Sequence, residues 1–321
     1  MNLRSFALPA KVALTFALGY LLLRHVDLAE LGRLARAFNT ENLLLATALL
    51  GSQALLLAWR WQRLLLLLGQ RLPVTLALRW IMVGLFFNQA LPTSVGGDAF
   101  RVWSLHRHGA APGTALASVA LERLTGVTLL ALLIAACVPT LSPRLPASVE
   151  LALLASAPAL LAGLALLTLL DRVALRWLPS ALQPSLLATS GGLRTLLASP
   201  AEALILSAFG VAAALCGLGA AWVLGRALGI EQPLSMMIVV LGGAMLVSLL
   251  PISLGGWGVR EASVVAMFGA LGVAPERALA VSVAFGLLQL AFSLPGGVLW
   301  WLDERGLPAR DRMLNARPPR P

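Results

Sequence analysis

Charge is what this chain most lacks. Only 12% of its 321 residues are Asp, Glu, Lys or Arg, against about 25% in a soluble domain, so water cannot be its main solvent. Cysteines number two, Cys137 and Cys216, each alone in an apolar stretch and without metal-ligand spacing; neither a disulfide framework nor a zinc site is expected. The three histidines, His25, His106 and His108, have no acidic partner and no nucleophile-bearing turn beside them, which argues against a hydrolase or a metal enzyme. No Walker-type glycine loop with a following lysine occurs, so no nucleotide site and no cofactor are expected.

What is present is hydrocarbon. Hydrophobic residues make up 59% of the chain and the mean hydropathy is +0.87. Apolar segments, rich in the helix formers Leu and Ala, cover about 9–23, 43–68, 74–91, 113–137, 149–170, 202–225, 233–250, 257–271 and 278–302. Several have the ~17–25 residues a helix needs to cross a bilayer. Polar connections fall at 24–42, 69–73, 98–112, 138–148, 171–201, 226–232 and 272–277. The expected fold is an all-α polytopic membrane protein: one integral membrane domain over 1–302 and a basic, proline-rich cytoplasmic tail over 303–321. The net charge of +10 reads as an arginine-rich cytoplasmic face rather than a nucleic-acid surface. Arg4, Lys11 and the apolar run to Leu23 have no small-x-small cleavage motif after them, the pattern of a retained signal anchor.

An internal repeat organises the chain. Leu91-Pro92-Thr93-Ser94-Val95-Gly96-Gly97-Asp98-Ala99-Phe100-Arg101 returns 159 residues later as Leu250-Pro251-Ile252-Ser253-Leu254-Gly255-Gly256-Trp257-Gly258-Val259-Arg260, identical at six of eleven positions. Pro92 and Pro251 each remove a backbone donor, and the pairs Gly96-Gly97 and Gly255-Gly256 let the chain turn, so both copies should interrupt a helix. Non-helical backbone at membrane depth must be covered by protein or by a wet cavity. Both breaks should therefore face the interior.

Read as two re-entrant helical hairpins plus about six full crossings, the chain puts both termini in the cytoplasm, with fifteen Lys and Arg inside and seven outside. This agrees with the positive-inside rule, although full crossings at both motifs would preserve the same sidedness. In the hairpin reading, segment 43–68 runs outside to inside and its counterpart 202–225 runs inside to outside. The repeats, about 43–137 and 202–302, are then inverted, and their breaks meet where transporters place substrate. A duplication whose glycines only permit close packing is the structural alternative.

Ionisable side chains within such segments are costly unless paired or hydrated, which marks them as functional candidates. Asp98 and Arg101 flank the first break, three residues apart; Arg260 and Glu261 follow the second, where Trp257 replaces the aspartate. Glu122 and Arg123 lie inside the 113–137 segment, and neighbours on a helix do not face each other. The expected mates are Arg101 for Glu122 and Glu261 for Arg123. Arg101, Arg123 and Arg260 together would make an electropositive interior site for an anionic headgroup, which guanidiniums grip bidentately. Asn88, Gln89 and Gln289 can hydrogen-bond broken backbone or ligand. The pairs Trp59/Trp61 and Trp300/Trp301, near Arg60, Arg63 and Arg305, read as interfacial belts at cytoplasmic helix ends.

The run Asn88 to Arg101, the Glu122-Arg123 pair and the run Pro251 to Glu261 together resemble the lysylphosphatidylglycerol synthase transmembrane-region family, also called flippase-like domain proteins. The resemblance spans about residues 10–302. It implies kinship with proteins whose best-known members are fused to a cytosolic aminoacyl transferase and move or present the modified phospholipid between leaflets; others are linked to polyprenyl-phosphate sugar or hopanoid pathways. This sequence shows no transferase domain, so it is expected not to make lysylphosphatidylglycerol itself. The resemblance places Asp98, Arg101, Glu122, Arg123, Trp257, Arg260 and Glu261 around the substrate.

The expected function is a translocase or lipid-binding transporter in a bacterial inner membrane, acting on an anionic phospholipid or polyprenyl-phosphate-linked lipid. A separate lipid-modifying enzyme is the expected protein partner, and no nucleic acid is expected. The alternatives are a membrane-embedded glycosyl- or phosphotransferase using Asp98, Glu122 or Glu261 as base, and a noncatalytic partner of a lipid-modifying enzyme.

Overall fold

The computed structural model describes residues 38–91, 95–141, 144–173, 183–249 and 258–306. The expected first membrane segment, 9–23, most of the basic tail, and the break residues Pro92, Pro251, Gly255 and Gly256 with neighbouring Trp257 lie outside the described residues. Among the described residues ten α-helices follow one another: α1 (Thr40–Leu67), α2 (Val74–Ala90), α3 (Gly96–Arg107), α4 (Pro112–Cys137), α5 (Ala147–Val173), α6 (Gln183–Leu197), α7 (Pro200–Ala227), α8 (Leu234–Ser248), α9 (Val259–Ala270) and α10 (Pro275–Gly306).

Five of these, α1, α4, α5, α7 and α10, are long and apolar enough to cross a membrane. The protein is thus an all-α polytopic membrane protein. α2 and α8 are apolar but have only 17 and 15 residues, and α3 and α9 have 12 each. At 1.5 Å per residue the 12-residue helices reach about 18 Å, well short of a ~30 Å hydrocarbon core.

The order long, short, short, long occurs twice, as α1 to α4 and as α7 to α10. The turns repeat with it. α1 ends at Gly69 (φ +74°) and α2 starts after Pro73; α7 ends at Gly229 (φ +73°) and α8 starts after Pro233. Each glycine takes the left-handed conformation that lets the next amide reach back into the helix: Gln70 N–H donates to Leu65 O at 2.8 Å and Ile230 N–H to Gly225 O at 2.9 Å. The second turn is shared as well. Gly109 and Gly272 (φ +104° and +79°) precede Pro112 and Pro275, the first residues of α4 and α10.

Helix packing carries the repeat inward. The two leading helices, α1 and α7, lie against each other over most of their length, and α2 is held between α1, α3 and α10. Gly97 of α3 meets α2 so closely that a Cβ there would stand 2.0 Å from Gly84 O. A Cβ on Gly96 would stand 2.6 Å from a Leu91 side-chain carbon. The largest apolar core, including Met237, Val239, Leu241, Phe268 and Phe285, gathers around α7 to α10. α5 is peripheral, and its Leu151, Leu161, Leu166 and Leu169 are exposed, the face a membrane helix turns to lipid.

One expectation is corrected here. The connection 171–201 is not all loop: α6 lies within it and buries Thr189, Gly192, Leu193 and Leu196 against α4 and α5. The inward stripe of α6 mixes apolar and polar residues, which lowers its mean hydropathy without removing the 3.6-residue period. The less apolar stretch after the first break, 98–112, is largely α3, whose buried face carries Asp98, Arg101 and Ser104.

A charged cavity between the membrane helices

α3 opens beside α2, and the first turn of any helix has amides without intrahelical partners. Asn88, near the end of α2, meets this need: its Oδ1 accepts the Gly97 N–H at 2.8 Å. Asp98, one residue on, is thereby set at the mouth of the helix, where the backbone dipole favours negative charge. One turn later Arg101 points the same way, with Nη1 3.8 Å from Asp98 Oδ1.

Arg101 has three neighbours. Its Nη2 donates to Glu122 on α4, and its guanidinium lies over the Trp61 ring of α1, 4.1 Å from the centroid. The Trp61 indole in turn donates to Ser118 Oγ at 3.4 Å. Arg101 Nε, by contrast, is buried with no acceptor among the described residues. Arg123, half-buried, pairs with Asp98. Glu122 and Arg123 thus have separate mates, as helix geometry requires, but the mate of Arg123 is Asp98 rather than Glu261. A pair between the adjacent helices α3 and α4 replaces the expected pair across to α9.

Arg60 is the residue that the sequence did not point to. It is 4% exposed, enclosed by α1, α4 and α7, and is therefore not a cytoplasmic-face charge. Its Nε donates to Leu206 O (3.2 Å), Nη1 to Glu122 O (3.2 Å) and Nη2 to Thr125 Oγ1 (2.6 Å). Each of those carbonyls precedes by four residues a glycine, Gly210 or Gly126, whose missing side chain leaves room for the guanidinium. Among the described residues Arg60 pairs with no carboxylate. Trp61 is likewise no belt residue, being fully buried, whereas Trp59 and Trp301 do face outward.

These groups line a single cavity of about 260 Å³ bounded by Arg60, Asn88, Asp98, Arg101, Glu122 and Arg123. Three guanidiniums face two carboxylates, a formal excess of one positive charge. Asp98 and Arg123 also line a second, mostly apolar groove of about 480 Å³ between α3 and α4, with Val102, Trp103, Leu116 and Val119. The Asp98–Arg123 ion pair is therefore the wall between the two.

Arg260 and Glu261 come together elsewhere. Glu261 accepts the Gly258 N–H at 2.6 Å, which caps α9, and Arg260 clasps the same carboxylate at 2.6 and 2.9 Å. Ser282 of α10 is 3.4 Å away. Neither residue lines the charged cavity. The two neighbours can meet because Glu261 folds back over the helix start and Arg260 has the reach to follow. Among the described residues no cluster of His, Cys, Asp and Glu could hold a metal ion.

An all-α polytopic membrane protein with an arginine-lined cavity among its helices is the class these features define. Residues 9–297 match the family model described as the lysylphosphatidylglycerol synthase TM region. The chain belongs to that flippase-like transmembrane family. No curated protein sequence matches it.

Proposed function

We propose that the chain is a lipid translocase or lipid-binding transporter of the bacterial inner membrane, which takes an anionic phospholipid or polyprenyl-phosphate-linked lipid by its headgroup. One observation carries this: Arg101 is buried, lines the cavity, and keeps an Nε–H without an acceptor among the described residues. A buried donor left unpaired is expensive, and a phosphate oxygen is the acceptor a guanidinium fork fits best. Arg60 supplies the unbalanced positive charge.

The apolar groove gives the lipid a route. With its chain between α3 and α4, a lipid brings its phosphate to the Asp98–Arg123 pair, and Arg123 exchanges Asp98 for phosphate as the headgroup passes inward. Glu122 holds Arg101 in place meanwhile. The α2–α3 and α8–α9 pairs serve as re-entrant hairpins of an inverted repeat within one membrane domain, with both termini cytoplasmic. Arg260 and Glu261 organise the start of α9. A separate lipid-modifying enzyme supplies the substrate.

The test is leaflet movement of a labelled anionic lipid in vesicles holding the purified protein. Movement should exceed that in protein-free vesicles and fall to that level in Arg101→Ala. Unchanged movement in that variant, or incorporation of radiolabelled sugar or phosphate into lipid, would overturn the reading in favour of a structural role or an enzyme.

A further inference from the structure

α10 carries a proline in its interior. Pro295 stands 11 residues before the end of the helix; it has no amide hydrogen to give Ala291 O, and its ring crowds that same carbonyl. Sharp bends in long helices gather at such residues. α4, which holds the matching place in the first half, has no proline after its first residue, Pro112.

The stretch beyond Pro295 is fastened to α2. A Cβ on Gly296 would stand 2.0 Å from Met82 O, and one on Gly297 would stand 2.8 Å from a Phe86 ring carbon. Trp300 meets Phe87 edge-on, with centroids 5.3 Å apart. α3 grips α2 in the same way, through Gly97 on Gly84 O, through the Asn88–Gly97 hydrogen bond, and through Phe100, whose ring lies 5.5 Å from that of Phe87. Backbone packed on backbone leaves no slack. The end of α10, α2 and α3 therefore form one body.

α3 meets α4 on other terms. Leu105 and Ala110 pack with Ala115 and Val119 where the two helices connect; beyond that patch the ties are the ion pairs Arg101–Glu122 and Asp98–Arg123, and the groove of about 480 Å³ lies between. An ion pair can be traded for a bound anion. A glycine contact cannot.

We propose that α2, α3 and the end of α10 swing as one body away from α4, with Pro295 as the hinge and the Asp98–Arg123 pair as a latch that an anionic headgroup opens. The proposal rests on the reading of the charged cavity as the phosphate site. Pro295 is then a positioning residue, because it lines neither the charged cavity nor the groove and acts through α2.

Distances between spin labels test this on the full chain, with Cys137→Ala and Cys216→Ala, in phosphatidylcholine vesicles with and without phosphatidylglycerol. Labels at Ala90→Cys of α2 and Leu124→Cys of α4 should part by more than about 2 Å when phosphatidylglycerol is present. Labels at Ala90→Cys and Leu302→Cys of α10 should keep their distance. All three positions are exposed and none lines the charged cavity or the groove. Pro295→Ala should abolish the first change and slow leaflet movement of labelled phosphatidylglycerol about tenfold, while its retention in native mass spectrometry stays that of wild type. An α2–α4 distance that ignores retained phosphatidylglycerol, an α2–α10 distance that shifts with it, or wild-type lipid movement in Pro295→Ala would overturn the hinge. Retention no greater than that of phosphatidylcholine would instead sink the phosphate reading. Both distances are measured with Pro295 in place, so a Pro295→Ala variant that fails to fold leaves the test intact.

Discussion

Arg101 and Glu122, 21 positions apart in the chain, share an ion pair that ties α3 to α4, and the Trp61 ring of α1 closes over the same guanidinium at 4.1 Å. Three helices therefore converge on one side chain. Removing Arg101 leaves Glu122 buried without its ion pair, and removing Glu122 leaves Arg101 only the longer contact with Asp98; loss of a buried partner costs about 3–5 kcal/mol. Arg101→Gln and Glu122→Gln should each lower the thermal midpoint in detergent, and the double variant should recover about 1–3 kcal/mol of the summed loss. Full additivity would mean that the two do not act as a pair.

Arg60 leads to the opposite sign for stability. Its main-chain acceptors, Leu206 O and Glu122 O, already belong to helices, so removing the guanidinium orphans no backbone group. Arg60→Met, close in shape and uncharged, should leave the melting midpoint unchanged or raised, as when buried charges give way to apolar packing. Retention of anionic lipid should fall about tenfold, the loss of one charge-assisted hydrogen bond. A variant that melts early but binds normally would assign Arg60 to the scaffold.

Gly97→Ala tests the approach of α3 to α2. The added Cβ would stand 2.0 Å from Gly84 O and 2.8 Å from Asn88 Oδ1, so the helices must part at a cost of about 1–3 kcal/mol. Gly163→Ala in α5 is the contrast, because nothing lies within 4 Å of its added Cβ. There alanine should stabilise by about 0.5–1 kcal/mol, the usual gain inside a helix. Melting of the two variants side by side checks both signs.

Glu261→Gln separates the start of α9 from the charged cavity. Glu261 caps α9 through Gly258 and holds Arg260, but it does not line the charged cavity. Its loss should cost about 1–3 kcal/mol through the cap and the freed Arg260, with anionic lipid retention unchanged. Lipid binding that fell as far as in Arg101→Gln would place Glu261 at the headgroup.

The crossing helices were legible because a bilayer demands long apolar runs, and α1, α4, α5, α7 and α10 meet that demand within a few residues of where the runs end. α6 was not, since its buried Thr189, Gly192, Leu193 and Leu196 form a stripe that a window average dilutes. Arg101 with Glu122 followed from the need of each intramembrane charge for a mate. The mate of Arg123 did not: the symmetry of the motifs pointed across to Glu261, whereas Asp98 on the adjacent helix was nearer. Arg60 left the faintest trace, because two of its three acceptors are carbonyls, which every residue has. Gly126 and Gly210 are the only marks it makes on the sequence.

The matched turns at Gly69 and Gly229, and at Gly109 and Gly272, carry a consequence for how the molecule came to differ from end to end. Two halves built with the same caps can each vary inside without disturbing the other's helix ends. One has become the electrical half, supplying most of the charged cavity from α1 to α4; the other has become the ballast, with the broadest oily core packed around α7 to α10. The charged cavity thus lies beside the first motif, where Asp98 stands, while the second motif carries tryptophan at the matching position.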